Sequence, residues 1–324
     1  MAHVLTLSLN PALDLAIRLP RLVPGEVNRT RESHLEAAGK GVNVARVLVT
    51  LGHQVTVSGF LGDTNDGLFV RAFEALGAED AFIRVPGETR INAKVAEDDG
   101  RVTDINGSGL AIPAEAWSRL VDWLDELAKD TARRPDAVII AGSLPPGITA
   151  ETQAGLIRRL REQGMPVWAD TSGPALSAAI EARPTAVKPN EHELADWAGE
   201  PLDSDDRRLA AAYRLHAAGI EEALISAGAS GVLWVSQRGA WLATPPTVTV
   251  ESTVGAGDTL VAGLLHGILQ NETPERILSF ATALSAESVR HVGVGDAQAA
   301  DFTQLLQQTR VLRLDEASTT GALT

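Results

Sequence analysis

The sequence predicts a doubly wound α/β fold: a mostly parallel sheet with helices on both faces, and a small accessory β-sheet. Short apolar runs rich in β-branched residues recur along the chain, and longer amphipathic stretches separate them. VLTLSL (4–9), VTVSGFL (55–61), AVIIAG (137–142), PVWAD (166–170) and EALISAG (222–228) read as buried strands. Between them VNVARVLVTLG, DGLFVRAFEALG, PAEAWSRLVDWLDELAKD, ETQAGLIRRLREQG and DRRLAAAYRLHAAG read as helices. Pro113 suits a first turn, and Gly52, Gly77, Gly164 and Gly219 punctuate helix ends. In such sheets ligands sit beyond the carboxyl ends of the strands.

The accessory sheet is predicted where that rhythm breaks. Residues 14–37 and 89–109 hold short alternating segments with no room for a helix, the second with DDG as its turn. A projecting lid and a pair of surface hairpins are equally open from the residues alone. The expected organisation is one domain over residues 1–314, with lid strands from about 12–36 and 89–107. DEASTTGALT, at 315–324, reads as a disordered tail.

The chain has 324 residues, 44% of them hydrophobic, enough for one large core. No apolar run reaches the ~20 residues of a membrane span. MAHVLTLSLN reads as a strand rather than a signal peptide, so a cytoplasmic protein is expected. With no cysteine, a disulfide framework, a thiolate metal site and a cysteine nucleophile are excluded. Asp and Glu number 42 against 28 Lys and Arg, a net charge of −14 that argues against nucleic acid as partner. An acidic protein that binds an anion must do so with a local set of cations and backbone N–H groups, so a lysine among glycines is informative.

Four segments carry such signals. In 252-STVGAGDTLVAG-263, Gly255, Ala256 and Gly257 precede Asp258 and an apolar helical run whose Ala262, Gly263 and Gly267 permit close packing. Backbone N–H groups at a glycine-rich helix start hold an anion, and a carboxylate one residue on can take a proton from an attacking hydroxyl. Alone, GxGD is equally a tight turn with an ordinary first-turn acid. A second copy, 293-GVGD-296, precedes the polar helical pattern AQAADFTQLLQQ and reads as a capped surface turn, whereas the first follows an apolar strand-like run, TVTVEST. In 37-AAGKGVNVARVLVTLG-52, Lys40 lies between Gly39 and Gly41 with Asn43 at a helix start. The Ser/Thr and spacing of a Walker loop are absent. Lys40 can reach an anion and Asn43 sugar hydroxyls, or the segment is a solvated turn. In 188-KPNEHE-193, Asn190 and Glu193 share a helix face that suits the water shell of Mg²⁺, or is simply polar. The fourth, 225-ISAGASG-231, suits nucleotide phosphates or a hairpin turn.

Taken together, GKGVNVAR and STVGAGDTLVAG resemble the two signature segments of the PfkB (ribokinase-like) carbohydrate kinases. NPALD (10–14), TRIN (89–92), GSLPPG (142–147) and KPNEHE extend the resemblance over nearly the whole chain, in the family's order. The resemblance implies an α/β body whose β-lid commonly serves in dimerisation, so a homodimer through the lid is expected. It implies ATP as co-substrate and Mg²⁺, and leaves open a monovalent cation beside the anion hole. Asp258 matches the family's catalytic base and Gly255, Ala256 and Gly257 its anion hole. Asp14, Gly39 and Asn43 match sugar contacts, and Ser143 the substrate cleft. Lys40 and Arg90, with Arg29, would hold a substrate phosphate. Lys188, Asn190 and Glu193 match the nucleotide–Mg²⁺ side, and Ser226, Gly228 and Gly231, with Gly257, the nucleotide loop.

AGKGVNVARVL with TRINAKVAEDDGRVTDINGSG is most similar to the phosphosugar branch, which implies phosphorylation of the 6-hydroxyl of fructose 1-phosphate. Tagatose 6-phosphate and fructose 6-phosphate are the nearest alternative substrates. A nicotinamide-dependent dehydrogenase is disfavoured because no GxGxxG follows the first strand, and a serine hydrolase because no GxSxG elbow occurs. A non-catalytic sugar-phosphate sensor is disfavoured by the intact GAGD with Asn190 and Glu193. The seven histidines have no ligand spacing, and Trp117 and Trp123 read as packing residues of one helix.

Overall fold

The computed structural model describes residues 1–314; the tail expected at 315–324 lies outside the described residues. The first strand, His3–Ser8, pairs in parallel with Gln54–Gly62 on one side and Ala137–Ala141 on the other. The chain therefore winds away from it in both directions, and a crevice opens beyond its carboxyl end. Val167–Asp170, Ala186–Val187 and Glu222–Ser226 continue the parallel sheet. Val232–Ser236, Gly239–Thr244 and Arg310–Leu314 then extend it antiparallel, and the short strands Glu79–Asp80 and Ile83–Val85 pair with Gln54–Gly62 at the other side.

Successive residues of a strand face opposite ways, and the core divides accordingly. Leu5, Leu7, Val138 and Ile140 pack with Leu120, Leu124, Ile157 and Leu215 of the helices on one face. Val4, Val55, Val57 and Ile139 pack with Val44, Leu48, Leu264 and Leu278 of helices on the other. That second face carries Lys40–Thr50 and Ala256–Leu269, so both glycine-rich helix starts open into the same crevice. Ala256–Leu269 lies tightly on Pro274–Ser288: a Cβ at Gly263 would come 2.9 Å from the Ala281 Cα, and one at Gly267 2.8 Å from Ile277. No helix among the described residues is long and apolar enough to cross a membrane.

A separate four-stranded sheet, in the order Glu32–Ala38, Ala12–Leu19, Ile91–Glu97, Val102–Asn106, stands beside the crevice. Its central pair is parallel and aligns Asp14 with Asn92, while the hairpin aligns Asn92 with Asn106. The three residues form one polar row across the sheet.

Several sequence expectations are corrected. TVTVEST is not a strand: residues 245–250 have no regular structure, because Pro245 and Pro246 have no N–H for a ladder and direct the chain out of the sheet. VLWVS and GAWLAT, unassigned from sequence, form antiparallel strands. AQAADFTQLLQQ is helical only over Phe302–Gln308. The second GxGD is no isolated surface turn. Gly293, at φ 130, and the buried Gly295 carry it across the start of the helix Ala256–Leu269.

Candidate active site

Asp258 lies in the first turn of the helix Ala256–Leu269, 5% exposed. Gly255, the N-cap, adopts φ 84, and a Cβ there would lie 2.6 Å from the Gly293 carbonyl oxygen, so the turn needs glycine for conformation and for space. The N–H groups of Gly257 and Asp258 fall in the first turn, where a helix supplies no acceptor. Ala256 N–H donates to the Thr253 carbonyl at 3.4 Å. Lys188 reaches the same place, its Nζ 3.2 Å from where a Gly257 Cβ would stand.

The carboxylate of Asp258 accepts a hydrogen bond from Asn43 Nδ2 at 2.8 Å. Beneath them Asp170, 1% exposed, accepts from Lys40 Nζ at 3.0 Å and lies 3.4 Å from Lys188 Nζ. Sequence reading missed Asp170, although it ends the strand PVWAD at the carboxyl edge where ligands collect. Burial, and then the neighbouring Asp170 charge, push Asp258 up to about 6 against Lys40, Asn43 and Lys188. Burial also opposes the Asp170 charge, but Lys188 and Lys40 outweigh it and hold that carboxyl below its usual range. Burial alone would lower Lys40, yet Asp170, Asp258 and Glu193 hold it above its ordinary value.

Two cavities meet at this turn. A polar cleft of about 570 Å³ is lined by Asp14, Gly39, Lys40, Asn43, Arg90, Ser143 and Asp258, with Asn92 and Asn106 from the small sheet. Asp14 accepts from Asn92 Nδ2 at 3.1 Å and lies 3.7 Å from Lys94 Nζ. Ser143 Oγ accepts from Asn10 Nδ2 at 3.1 Å. A second cavity of about 350 Å³ is lined by Ser226, Gly228, Gly231, Ala256 and Gly257, and by apolar surface from Pro245, Pro246, Val248, Val250 and Val289. Gly231, at φ 107, allows the Ala243 carbonyl oxygen to approach within 2.1 Å of where a Cβ would stand. The cavities share Thr253 and Gly257, and Asp258 belongs to the polar one alone.

Three expected site residues stand differently from their sequence reading. Arg29 is exposed in the loop between strands Ala12–Leu19 and Glu32–Ala38 and lines neither cavity, because that loop carries it away from the cleft. Asn190 and Glu193 do not share a helix face. Asn190 is the N-cap, accepting from the His192 and Glu193 N–H groups, and Glu193 Oε2 accepts from Asn190 N–H. This capping box occupies the Asn190 oxygen and one oxygen of Glu193. Arg90 does line the cleft, but its guanidinium donates to the carbonyls of Asn10, Pro11 and Gly107 at 2.8, 3.3 and 2.9 Å. Those acceptors are neutral, and no carboxylate among the described residues lies in ion-pair contact with it. Its charge therefore remains available to an anion in the cleft.

The model of the pfkB family of carbohydrate kinases matches residues 7–300. The 1-phosphofructokinase of Vibrio cholerae is 46% identical over 312 residues, covering 96% of this chain and 97% of that protein. The 1-phosphofructokinase of Escherichia coli strain K12 is 44% identical over 297 residues, covering 90% and 93%. Among solved structures, phosphofructokinase-2 from Escherichia coli in complex with potassium superposes with a TM-score of 0.86 at 27% identity, covering 95% of this chain and 99% of that one.

Proposed function

The chain belongs to the pfkB family of carbohydrate kinases, and from that premise we propose that it transfers the γ-phosphoryl group of ATP to the 6-hydroxyl of fructose 1-phosphate. The products are fructose 1,6-bisphosphate and ADP. One observation carries the reading: a polar cavity and an apolar one meet at Gly257, and a buried carboxylate faces only the polar one. The full-length relatives named 1-phosphofructokinase support the choice of sugar.

The sugar occupies the polar cleft, with Asp14, Gly39, Asn43 and Ser143 against its hydroxyls and Lys40 and Arg90 on its phosphate. That remote binding energy places the 6-hydroxyl at Asp258. Asp258 takes the hydroxyl proton as the oxygen attacks the γ-phosphorus, and the bond to the ADP oxygen breaks. Backbone N–H groups of the Gly255–Asp258 turn and the Lys188 ammonium stabilise the negative charge on the group in transfer. The apolar cavity holds the base of ATP, and Ser226, Gly228 and Gly231 border its ribose and phosphates. Glu193 keeps one carboxylate oxygen outside its capping box. That oxygen would accept from the water shell of a Mg²⁺ ion, which would supply charge neutralisation on the phosphates, while Asn190 fixes the helix start that presents it.

A monovalent cation beside the anion hole is part of the proposal, and the complex of phosphofructokinase-2 with potassium supports a cation requirement. Ile91 and Ile105, on the face of the small sheet opposite the Asn92–Asn106 row, are 46% and 59% exposed, apolar surface that suits pairing of two such sheets in a homodimer. A cytoplasmic location is part of the proposal, supported by charged substrates that do not cross a bilayer.

The test is ADP release with ATP and each of fructose 1-phosphate, fructose 6-phosphate and tagatose 6-phosphate. The highest kcat/KM is expected with fructose 1-phosphate; preference for either other sugar would reassign the substrate, and no turnover with any would remove the kinase reading. Arg90→Ala should raise KM for the phosphosugar at least ~10-fold, the scale of one lost charge-assisted contact. An unchanged KM would move the phosphate site elsewhere.

A further inference from the structure

The loop after the helix Pro274–Ser288 bears on the anion-binding turn at several points. The Val289 carbonyl accepts from the N–H groups of Glu251 and Ser252 at 2.8 and 3.2 Å. The Gly293 carbonyl oxygen sits against Gly255, with no room for a Cβ between them. Gly295 N–H donates to Thr259 Oγ1 at 3.1 Å, one residue beyond Asp258. From the helix itself, Ser285 Oγ donates to the Ala256 carbonyl at 3.0 Å. The position of the Gly255–Asp258 turn is thus set by what holds residues 289–296.

Within that loop, a single buried carboxylate ties residue 291 to residue 296. Glu287 is 4% exposed; its Oε1 lies 2.9 Å from His291 Nε2, and its Oε2 accepts from Asp296 N–H at 2.7 Å. One side chain therefore fastens both ends of the segment 291–296. The adjacent Arg290 is engaged elsewhere, paired with Asp301 at 2.8 Å. For stability alone, an apolar residue of similar volume serves as well as a buried charge. A carboxylate's two acceptors do what an apolar side chain does not: they fix His291 and the Asp296 backbone at one spacing.

We propose that Glu287 is a positioning residue for phosphoryl transfer: by fastening His291 and Asp296 it sets the loop that seats the anion-binding turn. The proposal rests on reading that turn as the site of the transferring group. Donors displaced by a fraction of an ångström lose transition-state stabilisation while ground-state contacts elsewhere persist. The sugar contacts Asp14, Asn43 and Arg90 are not on this loop, so a loss in kcat should come without a matching loss of phosphosugar binding.

Glu287→Gln keeps the shape and removes one of the two acceptors. It should lower kcat per folded molecule about 10- to 100-fold, with KM for the phosphosugar changed less than threefold. A kcat loss below threefold, or a parallel rise in KM, overturns the proposal. His291→Ala, at a half-exposed position, severs one arm only and should give the same split with a smaller loss, at least about threefold. Should Glu287→Gln fail to fold, that variant decides by the same criteria. Turnover by the unaltered enzyme tests the anion-site reading separately, so the two failures are distinguishable.

Discussion

Asp258→Asn should lower kcat by at least ~10²-fold, the scale of a positioned base, and at the same time raise Tm. The amide keeps the acceptor for Asn43 Nδ2 but has no basic oxygen. The stability gain follows from burial. The folded-state pKa of about 6 lies above the ordinary 3.8, so the native state binds this proton more tightly than the unfolded chain does. The stabilisation is therefore complete below about pH 3.8 and lost as pH rises through about 6. At neutral pH the buried charge costs on the order of 3 kcal/mol, which the amide removes, for a Tm higher by a few °C. The same pKa gives the unaltered enzyme an acid limb in kcat/KM centred near pH 6, falling toward low pH with unit slope. Near-normal turnover of the variant would remove the base assignment. A lowered Tm would remove the account of what its burial costs.

Asp170→Asn should be the most destabilising change in the site. Two ammonium groups converge on this carboxylate, and Lys188 is itself only 6% exposed. Breaking a buried pair by deleting one member costs roughly 3–5 kcal/mol, because the remaining charge is left without its counterion. The loss should appear as a lower midpoint in urea with an unchanged m-value. The substitution also removes a negative neighbour of Asp258 and leaves both lysines, so the acid limb of kcat/KM should move below pH 6. An unmoved limb would mean that Asp170 and Asp258 do not share a field.

The body of the fold was readable because a parallel sheet buries both faces and so writes itself as continuous β-branched runs such as AVIIAG. The helix starts at Lys40 and Ala256 were readable because glycines crowd where the chain must turn tightly. Asp170 was harder, since a lone acid at a strand end has no spelling; only the sheet shows that it lies under two lysines. Arg90 was found as a cation, but its hold on three carbonyls depends on contacts across 79, 80 and 17 positions of sequence. KPNEHE holds its cap in plain view, Asn with Glu three residues later, but the same spelling suits the water shell of Mg²⁺ or a polar helix face equally well. The two GxGD copies could not be told to touch, because their contact is made by main-chain packing, to which local sequence is indifferent.

The shared wall of the two cavities has a consequence for inhibition. Thr253 and Gly257 are common to both linings, so ligands of the two compartments face one another across that wall. A short tether joining a purine to a phosphosugar would make the second binding event intramolecular, at an effective concentration in the millimolar range or above. Avidity of about 10²–10⁴ over either half is the gain such linkage gives, and it would accrue only to a tether that passes over Gly257.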